Sequence, residues 1–114
     1  MASERIRRTE RFLHSMDFAK GFTSVASANN LSLGRGVVFD ITGTTTINYL
    51  ETTGIRTGRF RILRFNGTLT VKNNLGSPGT GFANLKLIAG ADFSAAAGKI
   101  LGFVYDGTNW QQVF

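Results

Sequence analysis

The 114-residue chain predicts an all-β domain, an antiparallel β-sandwich or barrel of jelly-roll-like type with about seven or eight strands. Three observations carry this expectation. Fourteen glycines against one proline, with ten phenylalanines, describe a chain of many turns. Thr, Val, Ile and Phe, which fit a pleated and half-buried surface, recur in short runs. Turn residues separate those runs at intervals of ~8–12 residues, the spacing of a sandwich or barrel. At this length the chain makes one domain around a single modest core.

Residues 1–22 differ in character and are set apart as a basic N-terminal arm or short helix, leaving residues 23–114 as the β domain. Arg5, Arg7, Arg8, Arg11 and Lys20 outnumber Glu4, Glu10 and Asp17. On a helix Ile6, Phe12 or Leu13, and Met16 share one side, with Ser3 as N-cap. So short a helix is marginal alone and needs a partner surface. Two other readings stay open, an extended arm over a neighbouring subunit and a disordered tail.

Beyond the arm, Thr23–Arg35 is small and polar, with turn formers at Asn29-Asn30 and Gly34, and reads as a linker or a first weak strand around Leu31–Leu33. Val37–Ile41 is a β-branched and aromatic strand, and Thr45–Leu50 alternates as a second. Arg59–Phe65 and Thr68–Lys72 flank Asn66-Gly67, the strongest short hairpin pattern. Asn73–Phe82, with its glycines and the lone Pro78, is the long loop. Asn84–Ala89 resumes the strands, and Gly90–Lys99 is a small, flexible stretch anchored by Phe93. Ile100–Tyr105 and Trp110–Phe114 close the chain as a hairpin around Asp106-Gly107-Thr108-Asn109. The last residue, Phe114, then belongs to a packed strand rather than a fraying tail.

Composition also excludes. With no cysteine there is neither a disulfide framework nor a thiolate zinc site, which fits a reducing cytoplasm. No apolar run approaches the ~20 residues of a membrane-spanning helix. The first residues lack the apolar core of a secretory leader, so Asn30-Leu31-Ser32 and Asn66-Gly67-Thr68 read as turns rather than glycosylation sites. The sole histidine, His14, has no ligand set around it, and Gly76, Gly79 and Gly81 lack the helix start that a phosphate loop requires. Asp40, Asp92 and Asp106 each sit beside a turn, where aspartate caps the backbone. No catalytic residue, metal or cofactor is expected, and the chain does not read as an enzyme.

The formal net charge is +6. Arg56, Arg59, Arg61 and Arg64 interleave with Phe60, Ile62 and Phe65, which suits a single-strand nucleic-acid platform or an ordinary strand. Alternation favours the ordinary strand, with Phe60 and Ile62 inward and Arg59 and Arg61 outward. Arg64 beside Phe65 breaks the alternation and marks a bulge or a subunit contact, and carboxylate-rich partner surfaces suit these arginines. Trp110 serves either as a platform for a sugar ring or as a core or interface residue.

The succession Phe39-Asp40-Ile41-Thr42-Gly43-Thr44, Phe65-Asn66-Gly67-Thr68-Leu69-Thr70, Asn84-Leu85-Lys86-Leu87 and Val104-Tyr105-Asp106-Gly107-Thr108-Asn109-Trp110 resembles the β domains of tailed-bacteriophage virion proteins. The resemblance covers residues 34–114, is one of strands and turns, and leaves the arm outside. It implies a virion structural protein, made in the host cytoplasm and forming homotrimers. Because the module fills almost the whole chain, a capsid decoration (cement) protein on the capsid surface is the first expectation. Its partners are then further copies of itself and the major capsid protein or another virion protein. In that reading Arg5, Ile6, Arg7, Arg8, Arg11, Phe12 and Met16 bind the capsid, and Arg59, Arg61, Arg64, Tyr105, Trp110 and Phe114 form the subunit interface. The alternative is a tail-fibre or head-fibre receptor-binding module that recognises host surface glycans through Asn73–Phe82 or Trp110. A nucleic-acid-binding barrel using Arg56–Arg64 ranks third.

Overall fold

A computed structural model describes residues 22–114, which form ten strands and, among the described residues, no helix. The strands are β1 (Thr23–Ala26), β2 (Asn30–Leu31), β3 (Val38–Thr42), β4 (Tyr49–Glu51), β5 (Phe60–Phe65), β6 (Leu69–Val71), β7 (Phe82–Lys86), β8 (Phe93–Ala95), β9 (Ile100–Tyr105) and β10 (Trp110–Gln112). Eight of them make one curled sheet in the order β1-β3-β5-β9-β10-β7-β4-β2, and β6 and β8 pair separately. The all-β class expected from the sequence is the class observed. The strands are more numerous, because Thr23–Ala26, in the segment read as a linker or first weak strand, and Phe93–Ala95, in the stretch read as small and flexible, each find a pairing partner.

The pairing is mixed rather than wholly antiparallel. The first five strands alternate between the two ends of the sheet, so that β1, β3 and β5 become neighbours on one side and β2 and β4 on the other. Each return brings the chain back in the same direction, and these neighbours pair in parallel, as do β7 and β10. The β5–β9, β9–β10, β4–β7 and β6–β8 ladders are antiparallel. Parallel neighbours need a crossover connection, and here strands of the opposite half supply it.

One face of the curled sheet closes over the core. Phe39 and Ile41 of β3, Leu63 and Phe65 of β5, Leu101 and Phe103 of β9, Leu85 of β7 and Trp110 of β10 are all buried in it. The small sheet contributes Leu69, Val71 and Ala95. It is tied to the large one through Ile47, whose N–H donates to the Thr70 carbonyl and whose carbonyl accepts from Lys72 N–H, both at 2.9 Å. Side chains alternate between faces along a strand. Within β5 the inward set is therefore Arg61, Leu63 and Phe65, the reverse of the expected orientation.

Asn66-Gly67 does not form the expected hairpin, since β6 pairs with β8 and not with β5. A tight primed turn needs a left-handed backbone, and Gly67 is not among the glycines with positive φ. Gly67 instead permits a close chain crossing, because a Cβ there would lie 2.7 Å from the carbonyl oxygen of Gly43. Asn66 is held meanwhile by its N–H on the Ile41 carbonyl and by its side-chain amide on Asp40. Asp40 thus stands within β3, opposite Arg64, and not at a turn.

The closing hairpin forms as the sequence predicts, with Trp110 opposite Tyr105. Gly107 takes a φ of 97°. Asp106 Oδ1 accepts from the N–H groups of Thr108 at 2.8 Å and Asn109 at 2.6 Å, and Oδ2 accepts from the Gln111 amide at 2.8 Å. The Asn109 N–H, then the Gln111 amide and the Thr108 N–H, hold this carboxyl below the usual aspartate range. A depressed folded value means stabilisation that is complete above the ordinary carboxylate range and lost as pH falls through the folded value. Asp106→Ala is accordingly expected to melt below the parent at neutral pH. Thermal melts taken into acid should show the gap closing, and a gap independent of pH would assign the loss to something other than the carboxylate.

Candidate functional site

Two features of the surface stand out, an apolar outer face and an arginine-lined cleft. On the outer face Phe60, Ile62 and Arg64 of β5 stand opposite Val104, Gly102 and Ile100 of β9. Ile62 is buried yet lies outside the core cluster, and Phe60 is 45 % exposed. The end of the chain folds onto the same face. Gly102 N–H donates to the Phe114 carbonyl at 2.9 Å and Val113 N–H to the Gly102 carbonyl at 2.8 Å. Two residues thus face one, as in a β-bulge. The Phe114 ring covers Gly102, and any Cβ at that position would collide with it. The ring itself remains 53 % exposed. Burying such aromatic area is worth ~25 cal/mol per Å² removed from water.

Arg64 lies on this face as well. Its Nη2 is 3.1 Å from Asp40 Oδ1, and its guanidinium sits 4.4 Å from the centroid of the Phe22 ring. Phe22 is the first described residue.

The cleft has a volume of about 530 Å³ and is lined by Gly34, Arg35, Glu51, Thr53, Gly54, Ile55, Arg59 and Arg61. Its inner wall is a double clasp on the loop after β2. Glu51 of β4 accepts at Oε1 from the N–H groups of Leu33 at 2.9 Å and Gly34 at 2.8 Å. Arg61 of β5 takes the loop's carbonyls, donating from Nη1 to Gly36 at 2.7 Å and from Nη2 to Gly34 at 3.2 Å. Only 1 % of Arg61 is exposed, its Nε is buried without a hydrogen-bond partner, and its guanidinium lies 5.6 Å from the centroid of Phe39. Burial lowers its pKa, Arg59 lowers it further, and Glu51 acts in the opposite sense.

The residues proposed from sequence for a subunit interface divide accordingly. Phe114 and Arg59 are exposed, and Arg64 is half-buried in its pairing with Asp40. Tyr105 is half-buried, packed at a centroid distance of 5.1 Å on Trp110, with its hydroxyl on the Gly107 carbonyl. Trp110 and Arg61 are enclosed by their own domain, so neither is an interface residue, and Trp110 is not a sugar platform. The inward seat of Arg61 has no local sequence signal, because two of its carbonyl partners, Gly36 and Gly34, lie more than twenty residues distant. Phe60, Arg35 and Glu51 join the surface features without a local sequence signal. The capsid-binding set, Arg5, Ile6, Arg7, Arg8, Arg11, Phe12 and Met16, lies outside the described residues.

The loop Asn73–Phe82 is pinned rather than free. Tyr49 donates its hydroxyl to the Gly76 carbonyl at 2.5 Å, Gly76 N–H donates to Asn84 Oδ1 at 2.9 Å, and Asn74 N–H donates to the Leu85 carbonyl at 2.7 Å. Among the described residues no three His, Cys, Asp or Glu side chains gather as a metal site. Fold and surface together define an all-β domain with an apolar outer face and a basic cleft. No family model matches the chain, and neither a curated protein nor a solved structure matches it.

Proposed function

We propose that this is a virion structural protein, a capsid decoration (cement) protein that binds and stabilises the assembled shell as a homotrimer. The observation that carries the reading is the outer face, where Phe60 of β5 and Phe114, which lies beyond the end of β10, remain about half exposed. Three copies related by a closed rotation bury this apolar surface. The edge strand β1, which among the described residues pairs only with β3, gains cover in the same assembly. The arginines of the basic N-terminal segment pair with carboxylates on the shell. Binding the assembled state alone stabilises it by mass action, and repetition around a lattice multiplies modest contacts.

The test joins light scattering with co-sedimentation on undecorated phage capsids. The full chain is expected to have the mass of a trimer, to pellet with shells and to protect them from heat. Phe60→Ser with Phe114→Ser is expected to yield folded monomers. Deletion of residues 1–20 is expected to leave a folded trimer that stays in the supernatant. A parent protein that is monomeric, or that leaves shells uncoated, refutes the proposal.

A further inference from the structure

We infer that the cleft between the Gly34–Arg35 loop and the start of β5 is a binding site for a carboxylate-bearing sugar unit. Three arginines meet there, Arg35, Arg59 and Arg61, against the single acid Glu51. Among the described residues the ion pairs are Arg64–Asp40 and Lys72–Asp92, so none of the three is neutralised by a salt bridge. Glu51 is engaged at Oε1 by two backbone N–H groups. Unneutralised positive charge along a low-dielectric wall focuses field into the cleft and draws in anions.

An unsatisfied donor in a side chain that is 1 % exposed is uncommon and needs a reason. Here the side chain is committed to fixing the Gly34–Gly36 loop, and with it the position of Arg35, while lending its charge to the cleft floor. Arg35 and Arg59 are exposed and planar, with forked donors that match a carboxylate in two-point contact.

Shape and the remaining wall select the ligand class. A cleft of about 530 Å³ has the dimensions of a small-molecule site rather than of a flat protein contact. Glu51 would repel a dianionic phosphate, but it accepts hydrogen bonds from hydroxyls. The Thr53 hydroxyl gives a second polar contact, and Ile55 an apolar one. A single negative charge joined to several hydroxyls on a ring meets all of these together. The site does not depend on shell binding and stands whether or not the protein coats a capsid.

Titration of the ¹⁵N-labelled full chain with glucuronate, followed by NMR, tests the assignment, with glucose, acetate, phosphate and a short glutamate-containing peptide as comparison ligands. Glucuronate is expected to shift the amides of Gly34, Arg35, Thr53, Gly54 and Arg59 with a Kd near ~1 mM, weakening as salt is raised. Glucose is expected to bind at least about tenfold more weakly, since it lacks the charge. Arg35→Gln and Arg59→Gln, both exposed and so expected to melt like the parent, should each weaken glucuronate by about tenfold. Acetate or phosphate binding as tightly as glucuronate would overturn the sugar assignment in favour of a bare anion site. The peptide binding as tightly would overturn it in favour of a protein partner. Shifts elsewhere on the domain, or undiminished in both variants, would overturn the site itself.

Discussion

Trp110→Ala is expected to cost about 3–5 kcal/mol, the range for removing a fully buried large aromatic side chain. Trp110 has no exposed surface and occupies β10 between Leu85 of β7 and Tyr105 of β9. Its indole Nε1 donates to the main-chain carbonyl of Glu51 at 3.2 Å, reaching across β7 to β4. One side chain thus fastens the β9 side of the sheet to the β4 side. Alanine leaves a cavity and removes the hydrogen bond to the Glu51 carbonyl, and each carries its own penalty. Domains of this size are stable by ~5–15 kcal/mol in total, so the variant loses a large share of its margin. Trp110→Phe retains most of the volume but not the N–H, and should fall between the two, losing about 1–2 kcal/mol. Urea unfolding followed by circular dichroism reads all three. An alanine variant within ~0.5 kcal/mol of the parent would mean that the sheet halves are fastened elsewhere.

Which features the sequence disclosed depends on the reach of the interactions that make them. The Asp106–Asn109 hairpin was plain because its hydrogen bonds close within the turn itself. Strand β5 was located to within a residue because alternation is local as well. Its facing was not, since a period of two marks two faces without naming the core, and a one-residue slip exchanges them. The sequence reading sends Phe60 and Ile62 inward and Arg61 outward, and the structure reverses this because Gly34 and Gly36 offer Arg61 carbonyls from a loop distant in sequence. Asn66-Gly67 carries a hairpin pattern that long-range packing overrides, because the glycine is needed where the chain passes the Gly43 carbonyl. Parallel pairing was hidden for a related reason. Each segment shows that it is a strand, but nothing in Val38–Thr42 announces that both its neighbours run in its own direction. Phe114 is the instructive intermediate case. The sequence places it in the closing strand, but β10 ends at Gln112, and Phe114 lies beyond it, bonded to Gly102 through its carbonyl and 53 % exposed.

Arg61 provides the second large effect and separates stability from function. Arg61→Ala is expected to lose about 2–4 kcal/mol, from the cavity beneath Phe39 and from the freed carbonyls of Gly34 and Gly36. Arg61→Met is expected to lose less than ~1 kcal/mol, because a buried charge without a close counter-ion carries a desolvation cost that an apolar side chain of similar length avoids. The lowered pKa of Arg61 reports that cost. The group remains protonated in folded and unfolded chains throughout the ordinary pH range, so the penalty is constant and the difference between the variants should not vary with pH. Arg61→Lys should resemble alanine more than methionine, since one ammonium cannot reproduce the two-pronged hold on the loop. If methionine matches the parent in stability, the arginine is retained for the charge that it gives the cleft, and the same variant should then weaken glucuronate binding. If methionine proves as unstable as alanine, the hydrogen bonds to Gly34 and Gly36 outweigh desolvation, and Arg61 is a structural clasp first.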